Sequence, residues 1–161
     1  MSVAQQHTRL PAVEELIQQR GEMLLLDRLL ERGPEHVVVA ARVLPREHPL
    51  MDPEQGMPTW VGIELMAQTV AVFAGLDHLD RGLPPRIGLL LGTRAFVAEM
   101  PFVPQGTALF VRADLSWRDE GGLGVFACEL KDSEDRVVAQ SLVKGYVPEN
   151  IQDHLGETLD A

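Results

Sequence analysis

Glu64 stands between Ile63 and Leu65 inside the run Thr59–Leu76, which is otherwise almost wholly apolar. A carboxylate set there loses hydration. Unless a partner offsets that loss, its pKa rises toward neutrality and it becomes an acid or base suited to proton transfer. Gln68 follows four residues later, one helical turn along the same face, within reach of Glu64 or of a bound substrate. The alternative for this pair is a structural hydrogen-bond network where the helix edge emerges. His48 lies upstream in Arg46-Glu47-His48-Pro49, in a loop punctuated by Pro45, Pro49, Pro53 and Pro58. A loop so constrained sets an imidazole beside the helix start, where a group titrating near neutrality suits proton abstraction; the alternative is a loop histidine without a chemical role. The backbone N–H groups of Thr59, Trp60 and Val61 open the helix without intrahelical acceptors and are able to polarise a carbonyl. Met57 and Trp60 flank them as core or tunnel lining.

The elements that must position these groups follow from patterning. Pro11 precedes Ala12–Ile17, which has apolar residues at helical spacing and reads as a short helix. Met23–Leu30 is an apolar stretch, and His36–Leu44, rich in Val, reads as a strand. The prolines of 45–58 make that segment a loop, with Thr59 as an N-cap for the apolar run beyond it. Ile87–Val97 is apolar enough for a buried strand. Leu109, Val111, Ala113, Leu115 and Trp117 alternate with Phe110, Arg112, Asp114, Ser116 and Arg118, a period of two. Polar turns at 120–122 and 132–135 separate this strand from Leu123–Leu130 and from Arg136–Tyr146, which argues for antiparallel pairing. The helix, spanning about 27 Å, is apolar nearly all round and must be wrapped rather than laid on a surface. A curved antiparallel sheet around one long helix is the hotdog architecture, an α+β fold; Gly62, Ala67, Ala71, Ala74 and Gly75 allow a close approach.

Composition limits the partners. The chain has 161 residues, with 45% hydrophobic and 24% charged, as expected for one soluble domain with a sizeable core, about 10–147, and an acidic tail over 148–161. Its 14 basic against 24 acidic residues give a net charge of −10, which opposes contact with nucleic acid or anionic lipid. Glu64, Gln68 and Thr69 interrupt the apolar run, so it reads as a core helix and not a membrane span. The single cysteine, Cys128, forms no internal disulfide, and no Cys/His cluster has zinc spacing. The cytoplasm is the expected compartment, and no metal is expected.

Four stretches carry a family resemblance: Met23-Leu24-Leu25-Leu26-Asp27-Arg28, Met57-Pro58-Thr59-Trp60-Val61-Gly62-Ile63-Glu64-Leu65-Met66-Ala67-Gln68, Leu90-Leu91-Gly92-Thr93-Arg94, and Val103-Pro104-Gln105-Gly106. Together they resemble the β-hydroxyacyl-acyl carrier protein (ACP) dehydratases of the FabZ type, and more closely the small dehydratases of aryl-polyene gene clusters. The resemblance implies a homodimer or higher homo-oligomer, with a loop histidine of one subunit facing a helix glutamate of the other. The glutamate falls on Glu64, its glutamine partner on Gln68, and the amide that binds the thioester carbonyl on Thr59, where the family usually has Gly. Met57 and Trp60 then belong to the substrate-binding surface. The family's Gly-His-Phe-Pro-Gly segment is absent, and the histidine is placed on His48 by a short loop insertion. By the same resemblance the substrate is a 3-hydroxyacyl thioester on the phosphopantetheine of an ACP, the product a trans-2-enoyl thioester, and no cofactor is required. Arg81, Arg86 and Arg94 are the candidates for docking the carrier. Two other functions remain open: a hotdog thioesterase, in which Glu64 with Gln68 or Thr69 activates water, and a noncatalytic hotdog subunit.

Overall fold

A computed structural model of the protein describes residues 9–85 and 88–148. Apart from Pro148, the expected acidic tail lies outside the described residues, as does Arg86. The strands are β1 (Leu26–Arg32), β2 (His36–Ala41), β3 (Met57–Pro58), β4 (Leu89–Ala98), β5 (Phe102–Val103), β6 (Leu109–Arg118), β7 (Leu123–Asp132) and β8 (Val137–Tyr146), with one helix, α1 (Gly62–Asp80), between β3 and β4. Six strands form an antiparallel sheet in the order β1-β2-β6-β7-β8-β4, and β3 pairs with β5 in a small second sheet. The chain therefore leaves β2, runs through α1 to the far edge at β4, and returns to β6 beside β2. The sheet curls around the helix, which packs against β1, β2, β6, β7 and β8. This is the hotdog architecture that the element order predicts.

The helix is buried on most of its circumference by Leu65, Met66, Val70, Val72, Phe73 and Leu76, with Gln68 and Thr69 among them. It meets the inward residues of the sheet, among them Val39, Val111, Phe126, Leu130 and Val143. On β7 the alternation is complete: Gly124, Phe126, Cys128, Leu130 and Asp132 are buried and the residues between them are half-exposed. The two small residues that admit close contact are specific. A Cβ on Gly62 meets a methyl of Leu130 at 3.1 Å, and one on Gly75 falls 2.2 Å from the carbonyl oxygen of Leu16.

Several expectations change. Ala12–Ile17 forms only one 3-10 turn, Val13–Glu15, because the Arg20 guanidinium draws the carbonyls of Glu14, Ile17 and Gln19 around itself. Thr59 does not cap α1. It opens a 3-10 turn over Thr59–Val61, and its hydroxyl donates instead to the Met100 carbonyl at 2.6 Å. The segment 45–58 is not all loop, since Met57 and Pro58 pair with Val103 and Phe102. On β6 the period of two breaks at a bulge between Leu115 and Trp117, which turns Trp117 outward. The strand expected to be buried, β4, is the edge of the described sheet, Ile87 lying outside the described residues: Leu89, Leu90, Leu91 and Val97 are all exposed because no further described strand covers them. His78 is buried near the end of α1.

Gly75 is the position where α1 touches the backbone of the N-terminal segment. Gly75→Ala is expected to destabilise the fold by about 1–3 kcal/mol, read as a lower urea midpoint at unchanged slope; a midpoint equal to wild type would show that this contact yields without cost.

Candidate active site

The segment just before β1 and the first two turns of α1 form one hydrogen-bonded unit. Gly21 takes a positive φ of 62° and opens a 3-10 turn, Gly21–Met23, that leads into the buried Leu24 and Leu25. Gln68 is fully buried and uses both ends of its amide on this strap. Its Oε1 accepts from the Leu25 N–H at 3.0 Å, and its Nε2 donates to the Met23 carbonyl at 2.7 Å. The second Nε2 hydrogen goes to Glu64 Oε1 at 2.9 Å. The amide therefore has one orientation, with the oxygen toward the strap and a hydrogen toward the carboxylate.

Glu64 is half-buried rather than sealed in the core, so its environment is less apolar than the sequence implies. It lies on the wall of a cavity of about 1000 Å³. Glu64, Ala67, Ala71, Ala74 and Asp77 form one stripe of half-exposed residues along α1 and all line that cavity. The opposite wall comes from β4, β8 and the ends of β6 and β7, including Leu89, Leu115, Phe126 and Tyr146. The alanines expected to admit the sheet instead leave space beside Glu64. One carboxylate oxygen is committed to Gln68, which leaves the other for a group in the cavity.

His48 is placed differently from expectation. It is buried, its Nε2 is 2.8 Å from the Glu22 carbonyl, and its Nδ1 accepts from the Leu50 N–H at 3.1 Å. A carbonyl only accepts and an amide N–H only donates, so the two contacts match the tautomer with its hydrogen on Nε2 and its lone pair on Nδ1. Its one lone pair is already in use. In this arrangement the imidazole holds the strap and is not poised to take a proton from a substrate.

The expected substrate-binding residues also part company with the cavity. Thr59 is buried and its N–H donates to the Pro101 carbonyl at 3.0 Å, so that amide does not serve a thioester. Met57 is core, opposite Val103, while Trp60 is 59% exposed on the surface at the helix start. None of the three lines the cavity. Arg81 is ion-paired with Asp77, and Arg94 is exposed on β4. Burial, followed by the Asp114 charge, pushes the Cys128 thiol up to about 12, which leaves it unreactive at neutral pH. What sequence reasoning missed is the strap: its role is carried by backbone groups of Glu22, Met23 and Leu25, and backbone groups have no signature in residue type.

A model of the ApeP-like family, described as ApeP dehydratase, matches residues 11–156. The chain belongs to this dehydratase family. Among solved structures it is similar to the dehydratase heterocomplex ApeI:P from Xenorhabdus doucetiae, at 25% identity and a TM-score of 0.84, covering 95% of this chain and 100% of that one. The E. coli PaaI protein of the phenylacetic acid degradation operon shares the fold at 15% identity and a TM-score of 0.56, covering 73% of this chain and 80% of that one. A hypothetical thioesterase with coenzyme A from Streptococcus pneumoniae does so at 14% identity and a TM-score of 0.56, covering 74% and 84%. No curated protein matches the chain.

Replacing Gln68 tests the unit that these hydrogen bonds form. Gln68→Leu is expected to lower stability by about 1–3 kcal/mol for each backbone group left unpaired, measured by chemical denaturation. A variant as stable as wild type would mean that water or a shifted strap satisfies Leu25 and Met23 at no cost.

Proposed function

We propose that the chain is a subunit of a dehydratase acting on a 3-hydroxyacyl thioester carried by ACP. The observation that carries this reading is Glu64 in a dehydratase-family chain: one carboxylate oxygen is fixed by Gln68 and the side chain faces a cavity large enough for an acyl chain. In the reaction, a base removes the α-proton while Glu64 protonates the departing β-hydroxyl. The C–O bond breaks, water leaves, and the electrons of the former C–H bond become the trans double bond. The thioester carbonyl needs a hydrogen-bond donor other than the Thr59 amide, which is spent on Pro101. Glu64 then recovers its proton from the conjugate acid of the base.

The base comes from a second hotdog subunit. His48 is held within its own chain, so a second copy of this chain would bring an imidazole in the same state. This reading therefore replaces the expected homodimer by a pair of unlike hotdog chains, as in the ApeI:P heterocomplex. The partner adds its edge strand to β4, whose exposed Leu89, Leu90, Leu91 and Val97 form an apolar edge that a single chain leaves uncovered. Arg94, on the same strand, is the remaining described candidate for docking an acidic carrier. A second reading, thioester hydrolysis with Glu64 activating water, is favoured by one observation: among the described residues Glu64 is hydrogen-bonded by Gln68, and His48 is engaged on both ring nitrogens.

Incubation of 3-hydroxyacyl-ACP with the protein and a partner hotdog subunit, followed by intact mass spectrometry, separates these functions. Loss of one water supports dehydration, and loss of the whole acyl group establishes hydrolysis. Glu64→Gln is expected to keep the assembly and to lose at least about 100-fold in turnover; near-wild-type activity would remove Glu64 as the proton donor. Leu91→Lys is expected to release free subunits in native mass spectrometry, and an intact complex would place the interface elsewhere.

A further inference from the structure

We infer that His48 is a positioning residue, which fixes the Gln68 amide, and through it Glu64, by bolting the strap Glu22–Leu25. The inference rests on the proposed function for its catalytic consequence, but its structural part stands on the hydrogen bonds alone. The strap is tied at three successive points. His48 Nε2–H donates to the Glu22 carbonyl, Gln68 Nε2–H donates to the Met23 carbonyl, and the Leu25 N–H donates to Gln68 Oε1. The two side chains come from different elements: Gln68 from the helix and His48 from the loop ahead of it.

The imidazole is itself rigidly seated. Its Nδ1 accepts from Leu50, its own N–H donates to the Pro45 carbonyl, and its carbonyl accepts from Met51. A ring locked on both nitrogens holds the Glu22 carbonyl in one place, and Glu22 is the residue directly before the Met23 carbonyl that Gln68 grips. Without that bolt the strap is free to shift, and the Gln68 amide loses the asymmetry that directs its NH2 toward Glu64. An amide turned over would present oxygen to the carboxylate and remove the hydrogen bond that selects which Glu64 oxygen faces the cavity.

This assignment differs from a base in what rescues it. The amide nitrogen of a glutamine at position 48 occupies nearly the place of Nε2 and donates to the Glu22 carbonyl, but it has no basicity. The experiment compares His48→Gln and His48→Ala in the full chain, with two readouts. The first is the side-chain NH2 pair of Gln68 in the 1H–15N spectrum, assigned by its disappearance in Gln68→Leu. It is expected to be a single dispersed pair in wild type and His48→Gln, and to move or double in His48→Ala. The second is turnover of 3-hydroxyacyl-ACP by the assembled complex, with kcat expected to fall about 10-fold in His48→Ala at little change in KM and to return to within about 3-fold of wild type in His48→Gln, against the 10²–10⁴-fold loss of a missing base in both. An unmoved Gln68 signal in His48→Ala, or equal loss of kcat in both variants, overturns the assignment. If His48→Ala fails to fold, His48→Gln carries the test: a wild-type Gln68 signal supports the bolt and a displaced one overturns it. If wild type itself turns over no substrate, the proposed function fails while the Gln68 signal still decides the inference.

Discussion

A fully buried primary amide must find partners for one oxygen and two hydrogens, and in this protein Gln68 finds all three. Its oxygen takes the Leu25 N–H, and its two hydrogens take the Met23 carbonyl and Glu64. An unpaired polar group at such depth costs about 1–3 kcal/mol, so the arrangement is cooperative: losing any member exposes the others. The helix is thereby registered against the entry to β1, and the carboxylate is aimed by the same bonds that register it. Structure and chemistry share one side chain here, which is why a glutamine stands amid the apolar residues of the core.

The rest of the fold serves that helix. A segment apolar on nearly every side has to be enclosed, and the antiparallel sheet encloses it from β1 to β8 but stops at β4. The gap is not a failure of packing. Alanines at 67, 71 and 74 keep the helix face low where it passes the far edge of the sheet, so the cavity runs from Glu64 toward Asp77. β4 carries two register shifts and a left-handed Ala95 at φ 52°, which bend the strand while its apolar side chains stay exposed. Bulges normally spoil an edge for pairing with unspecified chains, and a bent apolar edge accepts only a strand of matching shape.

The sequence makes the long helix, the three-stranded meander β6–β7–β8 and the Glu64–Gln68 pair legible, because each is written in periodicity. It does not make legible what depends on chain-to-chain geometry. Ile87–Val97 has the composition of a buried strand, and nothing in composition distinguishes burial by its own sheet from burial by another subunit. Trp117 fits the period of two, and only the bulge after Leu115 turns it outward. Thr59 has the side chain of an N-cap, yet the pairing of β3 with β5 brings the Met100 and Pro101 carbonyls close enough to claim both its hydroxyl and its N–H. His48 has the side chain of a base, and two backbone groups occupy both of its ring nitrogens.

That last point bears on how a two-carboxylate-or-imidazole site divides between chains. A base must keep a lone pair available, and an acid must keep a proton directed at the leaving group; both demands are met only if neighbouring groups hold each side chain without occupying its working atom. Gln68 does this for Glu64, occupying one oxygen and leaving the second. Leu50 and Glu22 do the reverse for His48, occupying both nitrogens. On the proposed function, a chain with a held carboxylate and a fully engaged imidazole supplies half of an acid–base pair. On that same reading the exposed edge beside the cavity is where a second subunit supplies the other half.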